Sequence, residues 1–272
     1  MTYKLIAADL DETLISRDRT ICQRNIDAIK KATEMGIKFV PATGRGYNSV
    51  HDTLKTLGLY DKEGQYTISY NGGAITENKD EKLLYFQGIT FEEAEALYKY
   101  GLRYDDICMH VYTPDQVWIK NLFPEEYEYI AVRQPCTEIF TDDIDFLKDK
   151  EIVKFIYMNL DHSYLERIAE EVKDLTKDMD VSYSSNRYME VNRKGVSKGT
   201  GLQRLCDILN IDIKDTIAIG DNYNDLSMIK AAGLGVGVAN TVEAMKPECD
   251  YVTKADCDEG AVGEVIEKFV LR

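Results

Sequence analysis

Short apolar runs alternate with helix-spaced apolar residues along the first third of the chain. β-rich runs at 3–10, 37–42 and 66–70 are separated by stretches at 21–35 and 47–57, in which apolar residues recur at helical spacing. This alternation is typical of a parallel sheet whose strands are joined by right-handed helical crossovers. It predicts an α/β core that starts in this part of the chain.

A different pattern occupies residues 83–188, where short strand-like runs lie among acidic amphipathic helices. The strand-like runs are at 107–111, 117–120 and 152–159, and the helical stretches are at 91–104 and 164–177. From residue 189 onward the first pattern returns, with a helix up to Leu209 and a buried strand at 216–219. We therefore predict a Rossmann-like parallel-sheet core from residues 1–82 and 189–272, and an inserted α+β domain from residues 83–188.

The acidic composition narrows the classes of partner. The 272 residues are 44% hydrophobic, so the chain can bury a full core, and its formal net charge is −15. A chain this acidic lacks the clusters of Lys and Arg that bind nucleic acid or anionic membranes. We therefore expect neither as a partner, and we expect a monomer or a weak homo-oligomer.

The apolar run at 3–8 is too short for a signal peptide, and no run is long enough to span a membrane. The six cysteines are scattered, without a CxxC pair or a disulfide-like spacing. These features predict a cytoplasmic protein with free thiols and no zinc site.

Polar residues follow several of the predicted core strands, where ligands bind in an open parallel sheet. These segments are Asp9-Leu10-Asp11, Thr43-Gly44-Arg45, Asn71-Gly72-Gly73 and Gly220-Asp221-Asn222-Tyr223-Asn224-Asp225. Lys198 opens a helix in the second part of the same predicted core. Each segment alone is a weak signal, but their repetition at strand ends predicts one polar site. The Asn71-Gly72 turn is ambiguous, and we interpret it as a hinge with a positive φ at Gly72 rather than as a ligand contact.

Two carboxylates at positions i and i+2 after a strand are suited to phosphoryl transfer. Asp9 can attack phosphorus as an ionised nucleophile. Asp11 can give a proton to the leaving oxygen and later take one from the hydrolytic water.

The remaining polar residues can neutralise the charge of a transferred phosphoryl group, which this chemistry requires. Mg²⁺ prefers carboxylates, so Asp9, Asp221 and a backbone oxygen of Asp11 would form an adequate cradle. Lys198 supplies a positive charge near Asp9. Thr43 and the backbone amide of Gly44 can bond a phosphate oxygen.

The four segments with Asp9, Thr43, Lys198 and Asp221, in this order, resemble the motifs of the haloacid dehalogenase superfamily. The large insert between the second and third motifs resembles the Cof-type branch of sugar-phosphate phosphatases, with a type IIB-like cap. The chain departs mildly from the usual pattern at Asn222, where many relatives have Gly, and at Gly73, where relatives often have Ala.

The resemblance implies a Mg²⁺-dependent phosphatase that forms an aspartyl-phosphate on Asp9. Asp9 and Asp11 would be the catalytic pair, and Asp221 would be the third metal ligand. The implied phosphate-binding residues are Leu10 (through its backbone), Thr43, Gly44, Lys198 and Asn224, with Asp225 in a supporting role. The insert would act as a substrate lid that admits small phosphorylated metabolites, sugar phosphates first.

Two other functions stay open. A phosphotransferase or sugar phosphomutase would use the same nucleophile but pass the phosphoryl group to a sugar hydroxyl, and the acidic insert argues mildly against it. A receiver-type signalling module would keep its phosphoaspartate. Asp11 argues against this second alternative, because a proton-transfer group there would accelerate hydrolysis.

Overall fold

The computed structural model describes residues 3–131 and 136–271, which form two compact units. The first unit comprises the described residues up to Phe86 and from Val196 onward. The second unit runs from Gln87 to Gly195. No helix of the described ranges has the length and the hydropathy of a membrane span.

Strands and helices are numbered in chain order. The strands of the first unit are β1 (Leu5–Ala8), β2 (Lys38–Pro41), β3 (Tyr66–Ser69), β4 (Ala74–Glu77), β5 (Lys82–Phe86), β12 (Thr216–Gly220), β13 (Leu234–Gly237) and β14 (Tyr251–Val252). Its helices are α1 (Gln23–Glu34), α2 (His51–Leu57), α6 (Lys198–Leu209), α7 (Leu226–Ala231) and α8 (Ala261–Phe269).

Five of these strands form a parallel sheet in the order β14-β13-β12-β1-β2. Every residue of the central strands β1 and β12 is buried, as expected for strands covered on both faces. One face packs through Ile6 and Phe39 against α1 and α8, and the other packs through Ala7 against α6. The parallel core of the predicted fold class is therefore confirmed.

The third predicted strand does not continue the parallel ladder. Strand β3 pairs antiparallel with β4, and β4 pairs with β5, which gives a separate three-stranded sheet. One isolated parallel bridge, between Ala42 and Ile68, links β3 to the end of β2. The reason is local, because left-handed backbone at Tyr70, Asn71 and Gly72 turns the chain straight back into a hairpin.

The strands of the second unit are β6 (Cys108–Tyr112), β7 (Val117–Lys120), β8 (Cys136–Ile139), β9 (Lys154–Met158), β10 (Met179–Ser184) and β11 (Tyr188–Arg193). Its helices are α3 (Phe91–Gly101), α4 (Pro124–Ile130) and α5 (His162–Glu171).

The six strands of the second unit form one sheet in the order β10-β11-β9-β6-β7-β8, antiparallel except for the parallel pair β7 and β8. Leu97 of α3 and Leu165 of α5 pack with Phe155 on one face of the sheet. Ile130 of α4 packs with Ile156 on the other face. This separate α+β sheet is the second element of the predicted fold class.

The two units divide the chain a few residues from the predicted domain boundaries. Strand β5 lies with the first unit, beyond the predicted boundary at residue 82. Strand β11 lies with the second unit, beyond the predicted boundary at residue 188. The assignment of the units as catalytic core and substrate cap stays a prediction.

Candidate active site

The loops that follow β1, β2 and β12 line a cavity of about 370 Å³ in the first unit. Parallel strands point their carboxyl ends to the same edge of the sheet, so residues far apart in sequence meet there. The lining residues are Asp9, Asp11, Glu12, Thr43, Gly44, Arg45, Asp221, Asn222 and Asn224. The structure thus brings together most of the residues that the sequence singles out.

Lys198 lies beside this cavity as the first residue of α6. Ser197 caps the helix by accepting a hydrogen bond from the amide of Thr200, which fixes where the helix starts. The Lys198 side chain is fully buried, and its Nζ donates to Asp9 Oδ1 and, at 2.6 Å, to Asp225 Oδ1. One ammonium group therefore joins two carboxylates that are more than 200 residues apart in sequence.

Asp225 holds the loop after β12 in shape. Its Oδ2 accepts hydrogen bonds from the backbone amides of Asp221 and Asn222, both at 3.0 Å. Gly220 makes room for this arrangement, because a Cβ there would lie 2.4 Å from the Asp225 Cβ. Asp221 is fixed further by Thr13, whose Oγ1 donates to Asp221 Oδ1 at 2.7 Å.

Negative charge is in excess at this site. Carboxylate oxygens of Asp9, Asp221 and Asp225 lie within 4.8 Å of one another, and all three residues are buried. Burial, reinforced by the charge of Asp225, raises the pKa of Asp9 to about 8 against the opposing effect of Lys198. Burial also raises the pKa of Asp221 to about 6.

The lysine alone does not balance these groups. Burial would lower the pKa of Lys198, but the charges of Asp9 and Asp225 outweigh it and raise that pKa. Three carboxylates facing one ammonium leave two negative charges when all are ionised. A divalent cation with a preference for oxygen ligands, such as Mg²⁺, fits this donor set.

Asp11 forms an ion pair with Arg45 at the cavity rim. Arg45 Nε donates to Asp11 Oδ2 at 2.9 Å, and its terminal nitrogen donates to Oδ1. The Asp11 and Arg45 side chains are 58% and 39% exposed, so water screens the pair. Both carboxylate oxygens of Asp11 are engaged in this arrangement, so the predicted proton transfer by Asp11 would require the pair to open.

The predicted phosphate-binding residues other than Lys198 lie in the loops that follow β1, β2 and β12. Thr43 is buried, and its Oγ1 accepts the Arg45 amide at 3.1 Å. The Asn224 Nδ2 donates to Asn71 Oδ1 at 3.2 Å. The carbonyl oxygen of Leu10 accepts the amide of Ile15 at 2.8 Å, which closes the turn after β1.

Three residues that contact this site were not predicted to do so. The sequence assigned no role to Thr13 and Arg45, and it suggested a hinge rather than a ligand contact for the turn that contains Asn71. A hydroxyl four residues after Asp9 and a cation directly after Gly44 were available signals. Asn71 offered less, because an Asn-Gly pair is typical of any tight turn.

The chain matches the family model of haloacid dehalogenase-like hydrolases over residues 6–266. This protein is a haloacid dehalogenase-like hydrolase. The resemblance stated from the four motifs is therefore confirmed, and the match covers both units.

Two relatives that align with more than nine-tenths of the chain are named as phosphatases. The 5-amino-6-(5-phospho-D-ribitylamino)uracil phosphatase YcsE of Bacillus subtilis is 28% identical, over 98% of this chain and 96% of its own. The pyridoxal phosphate phosphatase YbhA of Escherichia coli is 26% identical, over 93% of each chain. The hydrolase is accordingly a phosphatase that acts on small phosphate substrates.

Solved structures agree in fold over the whole chain. A haloacid dehalogenase-like hydrolase from Bacteroides thetaiotaomicron is 30% identical, with a TM-score of 0.85 over 98% of this chain and 99% of that one. The subclass IIB sugar phosphatase BT4131 is 22% identical, with a TM-score of 0.77 over 98% of each chain. The second likeness concerns the fold alone.

Proposed function

We propose that this phosphatase hydrolyses sugar phosphates or related small phosphate monoesters through an aspartyl-phosphate intermediate on Asp9. The observation that carries the proposal is the contact of the buried Lys198 ammonium with Asp9 at the end of β1. A carboxylate fixed this way keeps one oxygen against the lysine and can present the other to phosphorus.

In the first step, an Asp9 carboxylate oxygen forms a bond to phosphorus while the bond between phosphorus and the ester oxygen breaks. Asp11 donates its proton to that leaving oxygen, so the alcohol departs neutral. Because Arg45 engages both oxygens of Asp11, this step follows the opening of the ion pair at the cavity rim. Substrate anions that attract the guanidinium would favour this opening.

In the second step, water attacks the phosphorus of the aspartyl-phosphate and Asp11 takes up a proton from that water. The bond between phosphorus and the Asp9 oxygen breaks, which releases inorganic phosphate and restores the Asp9 carboxylate. The proton that Asp11 gave up in the first step is thereby replaced, and both carboxyl groups return to their starting forms.

Asp9, Asp221 and the backbone oxygen of Asp11 would hold Mg²⁺. When bound, the ion would neutralise charge on the phosphoryl oxygens and on the buried carboxylates. The cluster of Asp9, Asp221 and Asp225 would carry an excess of two negative charges with all three carboxylates ionised, and this excess supports the assignment. Asp225 would act differently, since its oxygens accept the Asp221 and Asn222 amides and the Lys198 ammonium.

The phosphoryl oxygens would be bound by Thr43, the Gly44 amide, Lys198 and Asn224, together with backbone groups of Leu10. These groups belong to four separate segments of the first unit, and hydrogen bonds within the protein hold Leu10, Thr43, Lys198 and Asn224. Preorganised donors of this kind stabilise the charge of a transition state without reorganisation.

Substrate choice would come from the second unit, because the groups just named bind only the phosphoryl group. The named relatives act on a ribitylamino-uracil phosphate and on pyridoxal phosphate, and a fold neighbour is a sugar phosphatase. We expect small phosphorylated metabolites of this size, with sugar phosphates preferred. A panel of phosphorylated metabolites ranked by kcat/KM measures this, and a strong preference for a phosphoprotein would contradict it.

Trapping the intermediate tests the central step. Substrate labelled in its phosphoryl group is mixed with enzyme and quenched in acid, and the label is then challenged with hydroxylamine, which cleaves acyl phosphates. With labelled p-nitrophenyl phosphate, whose leaving group departs without a proton, we expect a labile label on wild-type enzyme. We expect more of it on Asp11→Asn, because this variant can still form the intermediate but cannot activate water to hydrolyse it. Release of inorganic phosphate with no label on Asp11→Asn, at any quench time, would argue for direct attack by water.

A further inference from the structure

The turn after β3 has an unusual backbone. Tyr70 and Asn71 both have left-handed φ angles, of 52° and 53°, and Gly72 follows with a φ of 100°. Left-handed backbone is unfavourable for residues with a side chain, although Asn tolerates it better than Tyr. Two such residues in succession persist only where the surroundings hold them in place.

Backbone hydrogen bonds tie this turn to the loop that follows β2. The Tyr70 amide donates to the Arg45 carbonyl oxygen at 3.0 Å. The Asn71 amide donates to the Thr43 carbonyl oxygen at 2.9 Å. The left-handed conformation thus lets two consecutive amides bond the segment that carries Thr43 and Gly44.

The Asn71 side chain reaches two further groups of the site. Its Oδ1 accepts the hydrogen bond from Asn224 Nδ2 at 3.2 Å. The same oxygen lies 3.2 Å from the point where a Cβ on Gly44 would sit, so the amide group rests directly against Gly44.

Gly72 brings the turn against the start of α6. A Cβ at Gly72 would lie 2.1 Å from the carbonyl oxygen of Ser197, the residue before Lys198. The Cα of Gly72 is also 2.7 Å from the point where a Cβ on Gly201 would sit. The turn therefore contacts three segments of the site, namely those that contain Thr43, Asn224 and Lys198.

We propose that Asn71 is a positioning residue that aligns Asn224 with Gly44 for phosphoryl transfer. The inference rests on the proposed function, in which both groups bind the phosphoryl oxygens. The Asn71 side chain sets the distance between two loops that have no covalent connection near the site, and the left-handed backbone aims it there. This role differs from the hinge that the sequence suggested for the Asn71-Gly72 turn.

Asn71→Gly separates this role from a structural one, because glycine adopts the left-handed backbone without strain. We expect the melting temperature to stay unchanged or rise. The kcat/KM for p-nitrophenyl phosphate should fall about tenfold, mainly in kcat, because misaligned donors bind the transition state less well. Asn210→Gly is the matched control, since Asn210 is exposed at the end of α6 with a φ of 51° and should lose no activity.

A double-mutant cycle identifies the partner. If Asn71 acts through Asn224, the variant with both Asn71→Gly and Asn224→Ala should be within about threefold of Asn224→Ala alone. An Asn71→Gly enzyme within twofold of wild type would overturn the inference. Losses that multiply in the double variant would overturn it as well.

A binding measurement covers the case in which the proposed function fails. If wild-type enzyme releases no phosphate from any monoester, that function is wrong, and inorganic phosphate with Mg²⁺ becomes the probe. Phosphate should then raise the melting temperature of wild type more than that of Asn71→Gly. Equal shifts would exclude a positioning role for Asn71.

Discussion

Each unit buries a cluster of charged side chains, and the two clusters differ in how their charges balance. In the first unit, Asp9, Asp221 and Asp225 face a single cation, Lys198. Burial is the main cause that raises the pKa of Asp9 to about 8 and that of Asp221 to about 6, and the negative charge of Asp225 adds to both shifts.

In the second unit, the buried Glu126 and the half-buried Glu190 each pair with one cation. Glu126 is fully buried, and its Oε2 accepts a hydrogen bond from the Arg187 guanidinium at 2.9 Å. The other oxygen accepts a hydrogen bond from the Tyr188 hydroxyl. Glu190 pairs with Lys154, and this cation together with the Ser184 hydroxyl lowers the pKa of Glu190 although burial alone would raise it.

The difference in charge balance distinguishes a reactive site from a structural network of charged groups. When a buried carboxylate is paired with its own cation, the cation neutralises its negative charge. No net charge then remains to attract a ligand. Buried carboxylates in excess are unfavourable until a cation or a reacting group arrives, and such perturbed groups concentrate at functional sites. The imbalance in the first unit therefore marks the site, and the balance in the second marks a structural network.

Loss of the nucleophile is the largest change that the comparison predicts. Asp9→Asn keeps the shape of the side chain but removes the attacking charge, so kcat should fall by about 10³-fold or more. The melting temperature should stay unchanged or rise, since Asp225 still pairs with Lys198 and the excess of negative charge becomes smaller. Steady-state kinetics and thermal denaturation measure the two quantities, and near wild-type turnover by the Asp9→Asn variant would refute the assignment.

Removal of the divalent cation should have the second-largest effect on turnover. In excess chelator, turnover should fall by about 10²-fold or more and recover when Mg²⁺ is added back. In the absence of substrate, Mg²⁺ should raise the melting temperature of wild type, because it neutralises the excess charge. Asp221→Asn should lose most of this shift, and an undiminished shift would place the ion elsewhere.

Breaking the balanced cluster should cost stability and leave chemistry intact. Glu126→Leu strands the Arg187 guanidinium and should lower the free energy of unfolding by about 3 kcal/mol. Turnover of p-nitrophenyl phosphate per folded molecule should not change. Glu128→Leu, at an exposed position of the same helix, is the control and should change stability by less than about 0.5 kcal/mol. Equal costs for the two variants would show that the buried pair contributes nothing.

The smallest predicted effect is a loss of folding stability at low pH, caused by His110. Although Glu126 lies 3.6 Å from its Nε2, complete burial lowers the pKa of His110 from 6.5 to about 3. Below pH 6.5 the unfolded chain takes up a proton that the folded chain refuses, so stability falls as the pH falls toward 3. Between pH 7 and 5 wild type should lose about 2 kcal/mol more than His110→Gln, measured by denaturant unfolding. Parallel pH profiles for the two proteins would contradict this.

Strong periodicity made much of the fold predictable. The apolar run at 117–120 is β7 at the predicted bounds, and α6 ends at Leu209 as expected. The stretch at 47–57 was harder, because a single 3₁₀ turn, Tyr47–Val50, precedes α2. Periodicity reports which residues face the core, and it does not distinguish a 3₁₀ turn from the first turn of an α-helix.

Unusual backbone conformations and buried side-chain contacts were the parts of the structure that sequence patterns could not predict. The hairpin of β3 and β4 depends on left-handed backbone at Tyr70, a conformation that a tyrosine rarely adopts. The complete burial of Glu126 was equally hidden, since a glutamate on a helix is normally exposed. At the site, the motifs predicted which residues meet, but the Asp11–Arg45 ion pair depends on side-chain conformations that no spacing encodes.

The order of strands in the parallel sheet has a consequence for synthesis on the ribosome. Strand β1 pairs with β12, so one side of an early, fully apolar strand has no partner until roughly two hundred further residues have been translated. At ordinary elongation rates this delay is about 10 to 40 seconds. The second unit is contiguous in the chain and emerges whole within that interval. During this interval the second unit of the nascent polypeptide is complete, while β1 still lacks its partner strand β12. An unpaired apolar strand of this kind is a segment that a chaperone would bind.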